Sequence, residues 1–73
     1  MKENDADAVA VSVILPIFNA GGELRTALDR VFATCSPSDE VIIVDDGSTD
    51  DSLDVATTWA DGRSNVRIIA LDA

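Results

Sequence analysis

The sequence predicts an α/β fold, a three-stranded parallel βαβαβ unit that makes one Rossmann-like half of a doubly wound sheet. Three observations carry this. Apolar runs of strand length recur at "VAVSVILPIF", "EVIIVD" and "NVRIIALDA". The two segments between them space their apolar residues as helices do, and glycine, proline, serine and aspartate punctuate the joins.

Residues 1–8 are polar and aperiodic, so they are expected to form a flexible tail ahead of a folded unit at 9–73. Their "DAD" triplet, Asp5 and Asp7 around an alanine, has nothing to hold its carboxylates in place as a metal site. "VAVSVILPIF", residues 9–18, is nearly continuous β-branched and aliphatic sequence, as expected of a parallel strand covered on both faces. After "NAGG", residues Leu24, Ala27, Leu28, Val31, Phe32 and Cys35 fall on one helical stripe. "SPSD", residues 36–39, is turn chemistry, and "EVIIVD" is the second strand. "GSTDDSLDVATTWADG" opens with residues suited to N-capping, closes on Gly62, and turns Leu53, Ala56, Trp59 and Ala60 one way. The third strand runs from about Val66 to Leu71. Right-handed crossovers and a spatial order of 3-2-1 follow from this rhythm, leaving the first strand at an open edge where a second copy or further chain would pair.

Composition narrows the function. An apolar share of 47% with 26% charged residues is that of a folded globular chain. The net charge of −9, from 14 acidic and 5 basic residues, argues against nucleic acid or an anionic membrane as partner. With no histidine, a Ser-His or Cys-His relay and a histidine-ligated zinc site are excluded within the chain. The lone Cys35 fits a reducing compartment, and no apolar stretch approaches the roughly 20 residues of a membrane span, so the chain reads as cytoplasmic without a membrane segment. There is no Walker loop, "NAGGE" lacks the dinucleotide-binding glycine spacing, and the aspartates miss the EF-hand pattern.

Ligands of open α/β sheets bind beyond the carboxyl ends of the strands. That rim comprises "PIFN", "DDGSTD" and "LDA", which makes Pro16, Phe18, Asn19, Asp45, Asp46, Ser48 and Asp72 the candidate residues. Capping and turn formation account for Gly47 through Asp51 as well as ligand binding does. They account less well for Asp46, because a second carboxylate beside the first is costly unless something accepts it.

"VSVILPIFN", the helix with Leu24 and Leu28, and "EVIIVDDGSTDDS" together resemble the start of family 2 glycosyltransferases, which have the GT-A fold. The resemblance covers roughly residues 9–73 and implies that the chain is a truncated nucleotide-binding half-domain. It implies inverting transfer from a nucleotide-sugar donor, commonly UDP-linked, with a divalent metal, magnesium or manganese, on the diphosphate. By the same resemblance Pro16 and Phe18 lie along the base and ribose, and Asp46 accepts a hydrogen bond from the uracil ring N–H, with Asp45 beside it. The family more often has tyrosine where Phe18 stands, and "FATCSPSD" departs from its usual loop. The family's metal-binding Asp-x-Asp and acidic catalytic base are not matched in the chain, so no catalytic and no metal-binding residue is assigned, and the chain is not expected to catalyse transfer alone. In the wider family, later segments often bring membrane association.

Two other readings compete. A non-catalytic or vestigial module would keep the nucleotide cradle or the fold alone. A receiver-type signalling domain also pairs acids at a strand end, but a whole strand-helix unit precedes "VDD" here and the connectivity does not match.

Overall fold

The computed structural model describes residues 10–71. Within them the chain runs β1 (Ser12–Ile17), a single 3-10 turn (Gly21–Glu23), α1 (Leu24–Ala33), β2 (Glu40–Asp46), α2 (Ser52–Ala60) and β3 (Val66–Leu71). The sheet is parallel throughout with β2 in the centre, so β1 and β3 are both edges. This is the expected βαβαβ order. A receiver-type sheet would have its first strand in the centre instead, which rules that reading out. The expected tail, with Asp5 and Asp7, and Asp72 lie outside the described residues.

Strand alternation sorts the sheet into two faces. In register, Val13, Val41 and Val66 form one row, Leu15, Ile43 and Ile68 the next, and Ile17, Asp45 and Ala70 the last. These rows meet Leu24 and Leu28 of α1 and Ala56 and Trp59 of α2 in one core. Leu28 and Ile43 are wholly buried, each worth about 1.5–3 kcal/mol relative to exposure. The stripe expected on α1 faces this core through Leu24 and Leu28, with Val31, Phe32 and Cys35 half-buried and Ala27 exposed.

Among the described residues the opposite face is bare, contrary to the expectation that β1 is covered on both sides. Ile14 remains 58% exposed, Ile69 42% and Leu71 46%, and Pro16 is exposed beside them. The cause is topological. Strands added in one direction by crossovers of one hand put every helix on the same side, and α1 and α2 accordingly pack against each other. Sequence periodicity cannot distinguish a strand with one covered face from a strand with two when both faces are apolar.

A latch between the helices closes the core. The Trp59 indole N–H donates to Asp29 Oδ1 at 2.8 Å. Phe32 meets the same ring edge-on at 5.4 Å, and the Arg63 guanidinium stacks over it at 4.2 Å. At the amino ends of the strands, Asp39 closes the "SPSD" turn by accepting the N–H groups of Ser36 and Val11. Those bonds, the one from Ser36 first, hold its carboxyl below the ordinary aspartate range. No helix among the described residues is long and apolar enough to cross a membrane.

Candidate functional site at the carboxyl rim of the sheet

The two adjacent aspartates that end β2 part company. Asp45 belongs to the core-facing row and is only 2% exposed. Its carboxylate accepts both the N–H and the hydroxyl of Ser48, at 3.2 and 2.5 Å. Two charge-assisted bonds satisfy this buried group, which would otherwise be costly. Asp46 belongs to the bare face, is exposed, and its carboxylate bonds no other described residue. Alternation therefore answers the puzzle of two like charges side by side, because they point to opposite sides of the sheet.

Around Asp45 the loop after β1 and the loop after β2 are laced together. Asn19 N–H donates to Ser48 Oγ at 2.9 Å, Ala20 N–H to Ser52 Oγ at 2.8 Å, and Gly21 N–H to Asp50 Oδ2 at 3.1 Å. In return Asn19 Oδ1 accepts the N–H groups of Thr49 at 2.8 Å and Asp50 at 3.3 Å, and the Thr49 hydroxyl at 3.4 Å. Gly47 takes the positive φ of 78° that its turn requires. Asn19 is also left-handed, at φ 47°, a conformation asparagine tolerates better than most side chains.

Helix α2 starts from this lacing. Asp51 is its N-cap without a side-chain cap, and Asp50, one residue earlier, supplies the carboxylate that accepts Ser52 N–H at 2.9 Å. Hydrogen bonding from the Ser52 side chain first, then from its N–H and from Gly21, holds the Asp50 carboxyl below the ordinary range. Ser52 is completely buried and bridges the loops through its hydroxyl. Nothing in the local sequence signals that role, since Ser52 reads there only as one of several hydroxyl residues near a helix start.

Of the sequence candidates, Pro16 lies on the bare face one row before Asp46, in register with Val44 and Ile69. Phe18 follows the end of β1 and is 59% exposed. Both line a hollow of about 380 Å³ beside the open edge of β1. Asn19 and Ser48 are held inside the lacing. A second hollow, of about 330 Å³ between Cys35, Pro37 and Asn65, lies at the other end of the sheet, and no charged side chain lines it. Cys35 there is half-buried and bonds the Val31 carbonyl at 3.4 Å.

A divalent cation does not fit the described residues. No three His, Cys, Asp or Glu side chains gather among them, and Asp45 and Asp46 cannot chelate one ion from opposite faces. Asp46 alone offers a single carboxylate ligand.

Comparison with known proteins bears on this rim. Residues 12–73 match Glycosyl transferase family 2. The chain is 37% identical over 59 residues to "Uncharacterized glycosyltransferase YibD" of Escherichia coli, an alignment covering 81% of this chain and 17% of that protein. It is 41% identical over 64 residues to "Undecaprenyl-phosphate 4-deoxy-4-formamido-L-arabinose transferase" of Serratia proteamaculans, covering 84% of this chain and 20% of that one. The protein of the same description from Aeromonas hydrophila is 42% identical over 55 residues, 71% of this chain and 17% of its own length. The chain thus spans a fifth or less of the length of these relatives. A βαβαβ half-sheet with its paired aspartates at the carboxyl rim, matched along nearly its whole described length, belongs to glycosyl transferase family 2.

Proposed function

We propose that this chain recognises the nucleotide of a nucleotide-sugar donor, a UDP-sugar, for inverting glycosyl transfer by the intact enzyme. The observation that carries the reading is Asp46, an exposed carboxylate without a protein partner among the described residues, at the end of the central strand. A carboxylate only accepts hydrogen bonds. Uracil offers a ring N–H to such a group where cytosine offers a ring nitrogen lone pair, so Asp46 would select the base. Exposed Phe18 and Pro16 supply apolar surface for the base and ribose. Asp45 contributes through Ser48, by fixing the loop behind the site.

Residues 10–71 supply neither a general base nor a metal chelate in this reading, so transfer chemistry and the magnesium or manganese on the diphosphate belong to groups outside them. The acidic net charge of −9 opposes a diphosphate, and such a cation would offset that repulsion. The reaction is placed in the cytoplasm, with membrane attachment of an intact enzyme supplied by other residues. Pairing of a second copy along the open edge of β1 is part of the proposal; sedimentation showing a monomer at every concentration would remove it.

Calorimetric titration tests the base assignment. UDP should bind more tightly than CDP, and Asp46→Asn should weaken UDP by about tenfold or more, the worth of one charge-assisted hydrogen bond. Undiminished UDP affinity in a folded Asp46→Asn chain would remove Asp46 from the site.

A further inference from the structure

We infer that Asn19 is a positioning residue for the nucleotide rim, acting on the ligand through the loop after β2 rather than by touching it. This rests on the reading of the rim as a nucleotide site. Asn19 Oδ1 accepts the backbone N–H groups of Thr49 and Asp50 and the Thr49 hydroxyl, which occupies the acceptor side of the carboxamide. Its own N–H is spent on Ser48 Oγ, whose hydroxyl in turn donates to buried Asp45. A continuous chain of bonds therefore runs from the loop that carries Phe18 to the strand end that carries Asp46.

Backbone conformation fits this role. A left-handed residue at φ 47° reverses the chain directly after Phe18 and brings residues 19–21 alongside residues 48–52. Without the side-chain acceptor, Thr49 and Asp50 have no other described partner for their N–H groups, and the two loops lose their central tie. Phe18 and Asp46 would then sample separations that a single rigid base cannot bridge, and the free chain would spend less time in the binding geometry.

Three substitutions separate positioning from contact. Asn19→Gly keeps the left-handed backbone and removes the acceptor, whereas Asn19→Asp keeps both an oxygen acceptor and tolerance of that conformation. The measurements are amide hydrogen exchange of Thr49 and Asp50 in the ligand-free 73-residue chain, and UDP affinity of the same samples. Positioning predicts faster exchange in Asn19→Gly, UDP binding weakened about five- to tenfold, and recovery of both in Asn19→Asp. Asn19→Ala, which also strains the turn, should be at least as impaired as Asn19→Gly. Unchanged exchange in Asn19→Gly overturns the inference, as does fast exchange with unchanged UDP affinity. If the parent chain does not bind UDP, the nucleotide reading fails and the positioning role fails with it; the exchange data would show in that case whether the tie itself exists.

Discussion

Ser52→Ala removes the hydroxyl that joins the two rim loops at their most buried point. Ser52 is fully buried, and its hydroxyl accepts Ala20 N–H at 2.8 Å while its own N–H reaches Asp50. Alanine preserves the backbone bond, leaves the Ala20 donor unpaired and removes the hydroxyl from the Asp50 carboxylate, a loss of about 1–3 kcal/mol. Its higher helix propensity at the start of α2 returns about 0.5 kcal/mol, so the net cost is roughly 0.5–2.5 kcal/mol. For a domain of this size, stable by something on the order of 4–11 kcal/mol, the midpoint of thermal unfolding should fall by roughly 2–20 °C. Far-UV circular dichroism on heating, with urea unfolding to check that the m-value is unchanged, measures it. Thr49→Ala is the control, because its hydroxyl is exposed and reaches Asn19 at only 3.4 Å; it should change stability by less than about 0.5 kcal/mol. Equal melting of Ser52→Ala and the parent would refute the view that this hydroxyl fastens the loops.

The paired aspartates should respond oppositely to truncation: Asp45→Ala strands the Ser48 donors and should cost about 2 kcal/mol, whereas Asp46→Ala should leave the melting midpoint almost unmoved, and equal destabilisation by the two would contradict their placement on opposite faces. Asp39 and Asp50 carry carboxyls lowered in the folded chain from the ordinary 3.8. The unfolded chain therefore binds more protons as pH falls, so their stabilisation is complete above that value and is lost below it. Urea unfolding between about pH 6 and about pH 2.5 should show the decline, made shallower by Asp39→Asn or Asp50→Asn, and an identical slope in both variants would remove these groups as its cause. Trp59→Phe deletes the bond to Asp29 and thins the Arg63 stack; a cost of about 1–2 kcal/mol is expected, and a neutral result would show that the latch adds nothing beyond burial.

The fold was legible because each element announced itself locally. The third strand falls at Val66–Leu71 as read, the second gains only Asp46, and within the described part of the run read as 9–18 the first strand is Ser12–Ile17. The family was legible too, from the coupling of "VSVILPIFN" to "VDDGSTD". The division of labour between Asp45 and Asp46 follows from strand alternation once the last residue of β2 is known. What stayed hidden were partners distant in sequence. Asn19 with Thr49, Ala20 with Ser52 and Trp59 with Asp29 are each about thirty residues apart, and nothing in the composition or spacing of either segment specifies the other. The bare face was hidden for a different reason, since Ile14, Val44 and Ile69 look the same in sequence whether a second layer covers them or not.

The carboxyl rim around Asp46 is proposed to read a uridine nucleotide. Amide-resolved NMR titration of the 73-residue chain with UDP, with and without magnesium, tests it most directly. Shifts are expected to concentrate at Phe18, Val44 to Ser48 and Leu71, and to be larger for UDP than for CDP. Shifts confined to the hollow near Cys35 and Asn65, or a well-dispersed spectrum that ignores UDP, would contradict it.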